Sequence, residues 1–78
     1  MKNDKHIQAA LKSYFDTAGS NATLLAKKLG FSNGTVARWV NGEASEIRSS
    51  NWAKLFPVIK MYLPAECIVR FEDGTEQY

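Results

Sequence analysis

The chain is poor in the residues that equip many small domains with crosslinks, metals or catalytic groups. It has one cysteine, Cys67, so no disulfide can form within it, and one histidine, His6, which gives no partner for a metal cluster. No carboxylate pair, nucleophile with a neighbouring base, or glycine-rich phosphate loop is recognisable. In 78 residues we therefore expect one small domain that is not an enzyme and uses neither metal nor cofactor.

Long apolar segments are also missing. No run approaches the roughly eighteen apolar residues of a membrane-spanning helix. The N-terminus lacks the basic and then apolar pattern of a secretory signal. We expect a cytoplasmic protein that does not contact membranes, and no feature predicts a small-molecule ligand.

The charges are divided unevenly along the chain, although the net charge is only +2. Residues 1–64 contain nine lysines and arginines against four acidic residues, whereas residues 65–78 contain one arginine against four acidic residues. A basic body permits binding to nucleic acid, and an acidic tail is expected to stay away from it.

Two helices are predicted in the first thirty residues. The first is capped by Asn3 or Asp4 and ends at Gly19, and the second is capped by Ser20 or Asn21 and ends at Gly30. The apolar stripe of the first comprises Ile7, Ala10, Leu11, Tyr14, Phe15 and Ala18. The inward side of the second comprises Leu24 or Leu25, Ala26 and Leu29.

The stretch SNGTVARWVNG, residues 32–42, contains Asn-Gly, which is a strong hairpin signal. A hairpin would leave only residues 29–32 as the preceding strand, which is too short and is broken by Gly30. A helix from Asn33 to about Asn41, capped by Ser32, instead places Gly42 just past its end. Its buried face would comprise Val36, Trp39 and Val40. We therefore predict a third helix, with Gly34 inside its first turn at a cost of up to about 1 kcal/mol.

A fourth helical segment is predicted after a loop that Ile47 anchors. Ser49 or Ser50 is the expected cap, and Pro64 marks the end of the helical body. Pro57 either kinks one continuous helix or begins a separate short one. The apolar stripe comprises Trp52, Leu55, Phe56, Ile59 and Leu63.

The last residues have the composition of a β-strand. Residues 67–71 are rich in β-formers and are followed by the turn signal Asp73-Gly74, which predicts a small hairpin. A lone hairpin is marginal in water, so it needs a surface or a second chain to pack against.

Two segments, LLAKKLGFSNGTVARWVNG and NWAKLFPVIKMYL, resemble the lambda-type Cro and repressor family of phage and bacterial helix-turn-helix proteins. The resemblance covers residues 5–63. It implies a mainly α fold, a four- to five-helix repressor-like bundle containing a helix-turn-helix, in a DNA-binding domain of residues 1–64. Residues 65–78 would then form a C-terminal β-strand or hairpin that serves as a dimerisation arm.

The resemblance also implies which residues contact DNA. The N-terminal end of the third helix would enter the major groove, where Arg38 can donate two hydrogen bonds to a guanine and Asn33 can pair with an adenine or a phosphate. The outward positions are Ser32, Asn33, Gly34, Ala37, Arg38 and Asn41.

The chain departs from the family pattern at Ala22, where many relatives place a glutamine that grips a phosphate. Asn21, Thr23 and the free N–H groups of the second helix would have to hold that phosphate instead. Glu43 and Glu46 would repel phosphates if they pointed at DNA, which makes Arg48, and not the early loop, the expected contact with the DNA backbone.

We therefore expect a sequence-specific regulator of transcription, a Cro-like phage or prophage repressor in the bacterial cytoplasm. It would bind a palindromic operator in double-stranded DNA as a homodimer. The dimer would be joined through residues 67–71 or through Met61 and Tyr62. The alternative is a helix-turn-helix that binds another protein, as an antirepressor does, and does not read DNA.

Overall fold

The computed structural model describes residues 1–32 and 34–65. This part of the chain is mainly helical, with four α-helices and no β-strand. They are α1 (Lys5–Ala18), α2 (Ala22–Leu29), α3 (Thr35–Val40) and α4 (Ser49–Ile59), and a 3₁₀ turn at Lys60–Tyr62 follows α4. The predicted C-terminal β segment, residues 67–71 with the turn at Asp73-Gly74, lies outside the described residues.

The ends of α1 and α2 are set by local side chains, as the sequence predicts. Asp4 accepts hydrogen bonds from the N–H groups of His6 and Ile7, and Asn21 accepts one from Leu24. Gly19 and Gly30 end the helices in the left-handed conformation. Each cap satisfies backbone groups that a helix terminus leaves without an intrahelical partner.

The start of α3 differs from the prediction. Gly34, with φ +83°, is the residue that precedes the helix, and no side chain caps it. Ser32 contributes through its backbone instead, because its carbonyl accepts a hydrogen bond from the Thr35 N–H at 3.2 Å. The predicted Ser32 cap and the position of Gly34 inside the first helical turn are therefore both wrong.

The start of α4 also differs from the prediction, and the helix shows which of the two predicted roles of Pro57 is correct. Arg48 precedes the helix with an extended backbone and makes no side-chain cap, so the cap predicted at Ser49 or Ser50 is wrong. The helix runs through Pro57 and ends two residues later, so Pro57 does not begin a separate helix.

One apolar core joins all four helices and the loop between α3 and α4. The buried side chains are Ile7, Ala10, Leu11, Leu25, Ala26, Val36, Trp39, Ile47, Trp52, Leu55, Phe56, Ile59 and Leu63. Leu25 is buried whereas Leu24 is half exposed, which resolves the choice between them. The stripe of α1 becomes less buried towards its end, since Tyr14 and Phe15 are half-buried and Ala18 is exposed.

No helix in residues 1–32 and 34–65 is long and apolar enough to cross a membrane.

Candidate nucleic-acid interface

The burial of α3 leaves one of its faces in solvent. Val36 and Trp39 point into the core, and the ring of Trp39 meets the ring of Phe31 edge to face at 5.2 Å. These contacts fix the rotation of a helix that has only six residues. The opposite face therefore carries the positions Gly34, Ala37, Arg38 and Asn41, which follow one another at helical spacing.

The predicted site residues on and beside α3 differ in how far their side chains are exposed to solvent. Gly34, Arg38 and Asn41 are exposed, whereas Ala37 is half-buried. The Asn41 side chain donates to Glu43 Oε2 at 3.3 Å, so a base or phosphate would compete with that carboxylate for the amide. Asn33 lies outside the described residues.

The predicted residues around α2 are held at its N-terminus and in the turn that follows it. Asn21 is exposed and uses Oδ1 to cap α2, which leaves its Nδ2 group to donate to a ligand. Thr23 is exposed in the first turn of α2. Ser32 is exposed, and its Oγ accepts a hydrogen bond from Thr35 Oγ1 at 3.4 Å.

A surface groove runs between α3, the loop of residues 41–48 and the start of α4. Phe31 and Trp39 form part of its wall. Its polar and charged lining includes Ser32, Thr35, Arg38, Glu46, Arg48 and Lys54. The groove therefore brings together Ser32, Arg38 and Arg48 of the predicted site. The other described residues of that site do not line the groove; they are Asn21, Thr23, Gly34, Ala37 and Asn41.

The cations of the groove are available to a ligand. Arg38, Arg48 and Lys54 are all exposed, and none of them forms a salt bridge with another residue of the described part of the chain. The ammonium of Lys54 lies 6.0 Å from the centre of the Phe31 ring, an attraction that keeps the side chain beside the groove. Three cations around one carboxylate, Glu46, give this surface a positive charge that suits an anionic ligand.

Lys54 is a candidate residue that the sequence analysis missed. The prediction of its helix, α4, rests only on the apolar residues that close the core. A second pattern was present, because Ser50, Asn51 and Lys54 follow one another at the spacing of one helical face and all three line the groove. A polar stripe beside the apolar one was thus the available signal.

Glu46, whose carboxylate is expected to repel phosphates if it points at DNA, lines the groove as well. A carboxylate in this position repels phosphates and can accept a hydrogen bond from the amino group of cytosine. Glu43, by contrast, is engaged with Asn41.

Among residues 1–32 and 34–65, no three metal-ligating side chains come together. No protein-family model, curated protein or solved structure matches the chain.

Proposed function

We propose that the chain is a helix-turn-helix protein that reads double-stranded DNA in the major groove. α2 and α3 would form the motif, with α3 as the recognition helix. The observation that carries the proposal is the exposed Arg38 on α3, which forms no salt bridge with a described residue and lies in one groove with the exposed cations Arg48 and Lys54.

The division of labour follows from the chemistry of these side chains. The planar guanidinium of Arg38 matches the O6 and N7 acceptors of guanine, and such a pair discriminates between bases by about 1–3 kcal/mol. Arg48, which precedes α4, and Lys54, which lies within it, are suited to phosphates, which fix the register of the protein on the duplex. Gly34 and Ala37 lie on the solvent-facing side of α3 and have little or no side chain. The backbone of α3 could therefore approach the base edges closely.

In the cell, the proposed activity is that of a Cro-like repressor of phage or prophage origin in the bacterial cytoplasm. It would act as a homodimer on a palindromic operator. The small bundle of four helices, in which α2 and α3 pack together, and the resemblance of residues 5–63 to that family support this part of the proposal. No cofactor is needed for such an activity.

Selection of bound sequences from a pool of random DNA duplexes tests the proposal directly. We expect an enriched motif that contains guanine, and affinity that falls steeply as salt is raised, because phosphate contacts release counterions. Failure to enrich any motif at low salt would contradict the proposal.

A second function is favoured by one observation, the half-exposed Leu24 on α2. An apolar side chain on the surface of the motif suits a protein partner better than it suits a phosphate. A chain that enriches no DNA motif and loses a protein complex on Leu24→Asp would be such an interaction module.

The role of Arg38 is tested by Arg38→Ala on the selected duplex. We expect the preference for that duplex over a scrambled one to fall about 5- to 150-fold, the equivalent of about 1–3 kcal/mol. Binding to the scrambled duplex should change little. Titrations of both duplexes by fluorescence anisotropy measure the two affinities.

Two matched variants control for the loss of one positive charge. Lys12→Ala removes an exposed cation from α1, away from the groove, and should leave the preference intact. Arg48→Ala should weaken binding to both duplexes alike and lower the salt dependence by about one phosphate contact. If Arg38→Ala behaves like Arg48→Ala, Arg38 contacts a phosphate and does not read a base.

A further inference from the structure

The first three residues cross the loop that follows α3. The Asn3 N–H donates to the Ser45 carbonyl at 3.0 Å, and the Ile47 N–H donates to the Met1 carbonyl at 2.7 Å. Between these bonds Lys2 and Glu46 form an isolated antiparallel bridge. Residues 1–3, which we call the N-terminal clasp, thus pair with the loop residue by residue.

The side chain of Asn3 extends the clasp to α3 itself. Its Nδ2 group donates to the Trp39 carbonyl at 3.0 Å and to the Ala44 carbonyl at 2.8 Å. Trp39 belongs to the last turn of α3, where its carbonyl also accepts the Gly42 N–H at 3.2 Å, and Ala44 belongs to the loop. One amide group therefore joins the end of α3 to the loop at a fixed separation.

The Asn3 side chain holds α3 and the loop together only through the two hydrogen bonds that its Nδ2 group donates. Its Oδ1 atom is buried and accepts no hydrogen bond from the described residues. An aspartate of the same shape would place a carboxylate oxygen where Nδ2 stands, facing two carbonyl oxygens, and would repel both. The position thus requires a donor, which only the amide of Asn3 provides.

The loop that Asn3 holds carries the groove residues Glu46 and, at its end, Arg48. Apart from the clasp, the loop is tied back to α3 by the N–H groups of Glu43 and Ala44, both of which donate to the Arg38 carbonyl. Those bonds fix the beginning of the loop. Residues 45–48 are anchored by the burial of Ile47, but among the described residues they have no hydrogen-bonded tie to α3. The clasp supplies that tie, since it contacts Ser45, Glu46 and Ile47.

We infer that Asn3 is a positioning residue for nucleic-acid binding, which holds Arg48 at the separation from Arg38 that lets both contact one duplex. The inference rests on the proposed function. Asn3 itself touches no ligand and acts through the loop. Preorganisation of this kind removes the cost of ordering the loop when DNA binds.

The variant Asn3→Asp tests the inference on the full chain, with the duplex obtained by selection. We expect its Kd to rise about tenfold, a change within the range of the coupling between residues of one hydrogen-bond network. Adding Arg48→Ala should then weaken binding by a smaller factor in Asn3→Asp than in the wild type, because Arg48 is already misplaced. Asn3→Ala replaces Asn3→Asp if the aspartate variant does not fold.

Asp4→Ala is the matched control. It changes the adjacent residue and removes the cap of α1, but it breaks no bond to the loop. Measured at a temperature at which every variant is folded, its Kd should match that of the wild type. Amide exchange of Ile47 should accelerate in the Asn3 variants and stay unchanged in Asp4→Ala.

The outcomes separate the two proposals. Wild-type affinity in a folded Asn3→Asp or Asn3→Ala, equal effects of Arg48→Ala in both backgrounds, or unchanged exchange at Ile47 would each overturn the role of Asn3 while leaving the proposed function in place. If the wild-type chain itself selects no duplex, the proposed function fails and the inference fails with it.

Discussion

Gly34 has a φ of +83°, a backbone conformation that residues with a side chain rarely adopt. A Cβ atom added at this position would meet nothing within 4 Å, so the requirement for glycine comes from the backbone and not from packing. The residue turns the chain into α3, whose rotation is then fixed by the burial of Val36 and Trp39.

Gly34→Ala is expected to destabilise the protein by about 1–2 kcal/mol, the cost of left-handed backbone for a residue with a Cβ. Urea unfolding measures the change. The sign of the change in unfolding free energy is informative. If Gly34 lay inside the first turn of the helix, replacing it with alanine would instead stabilise the protein by about 1 kcal/mol. Gly34→Asn is the control and should cost less, since asparagine tolerates this conformation better.

At the scale of the element, α4 contains a proline where a helix normally continues its hydrogen bonds. Pro57 has no N–H to donate to the carbonyl of Ala53, and its exposed ring adds nothing to the core. The helix persists because Trp52, Leu55, Phe56 and Ile59 are buried on its other side. Packing here outweighs local preference.

Pro57→Ala should therefore stabilise the protein by about 2 kcal/mol, from a helix-interior penalty near 3 kcal/mol less the entropy that proline removes from the unfolded chain. The midpoint of urea unfolding should rise with an unchanged slope. Pro64→Ala, outside α4, is the control and should give no such gain. A lower midpoint for Pro57→Ala would mean that proline suits the end of α4.

Local signals in the sequence were enough to predict α1 and α2, since Asp4, Asn21, Gly19 and Gly30 act on backbone groups a few residues away. The start of α3 was predicted wrongly because the pattern around residues 32–34 does not tell which residue takes a positive φ. Asn3 was predicted only as a cap, because its partners Trp39 and Ala44 are 36 and 41 residues away. Contacts of that range carry no periodic signal.

At the scale of the whole molecule, a single recognition helix of the size of α3, the role proposed for it, would be too small to select an operator. Six residues of α3 extend about 9 Å and reach only a few base pairs. Proteins that use such helices place two of them about 34 Å apart on a palindrome. The proposed function therefore requires a second copy of the chain.

Sedimentation of the full chain should show a dimer, with residues 67–71 or the surface at Met61 as the interface. Met61 is 79% exposed. The ring of the adjacent Tyr62 meets the ring of Tyr14 edge to face, with 6.1 Å between the ring centres. A chain ending at Pro64 should be monomeric if the tail joins the copies. Met61→Glu in the full chain should be monomeric if the helical surface joins them.

A full chain that is monomeric at high concentration, with no dependence of DNA binding on a second half-site, would contradict the dimer. The truncated chain keeps every buried residue of the described core, so its oligomeric state can be compared with that of the full chain.

The N-terminal clasp also has a consequence for folding kinetics. α2 and α3 are neighbours along the chain and can pack early, whereas the bond between the Asn3 side chain and Ala44 closes a loop of 41 residues. On the ribosome, residues 1–3 cannot complete this pairing until residues 44–47 have been synthesised. We expect the clasp to close after the folding transition state, so that Asn3→Ala accelerates unfolding in stopped-flow measurements and leaves the folding rate nearly unchanged.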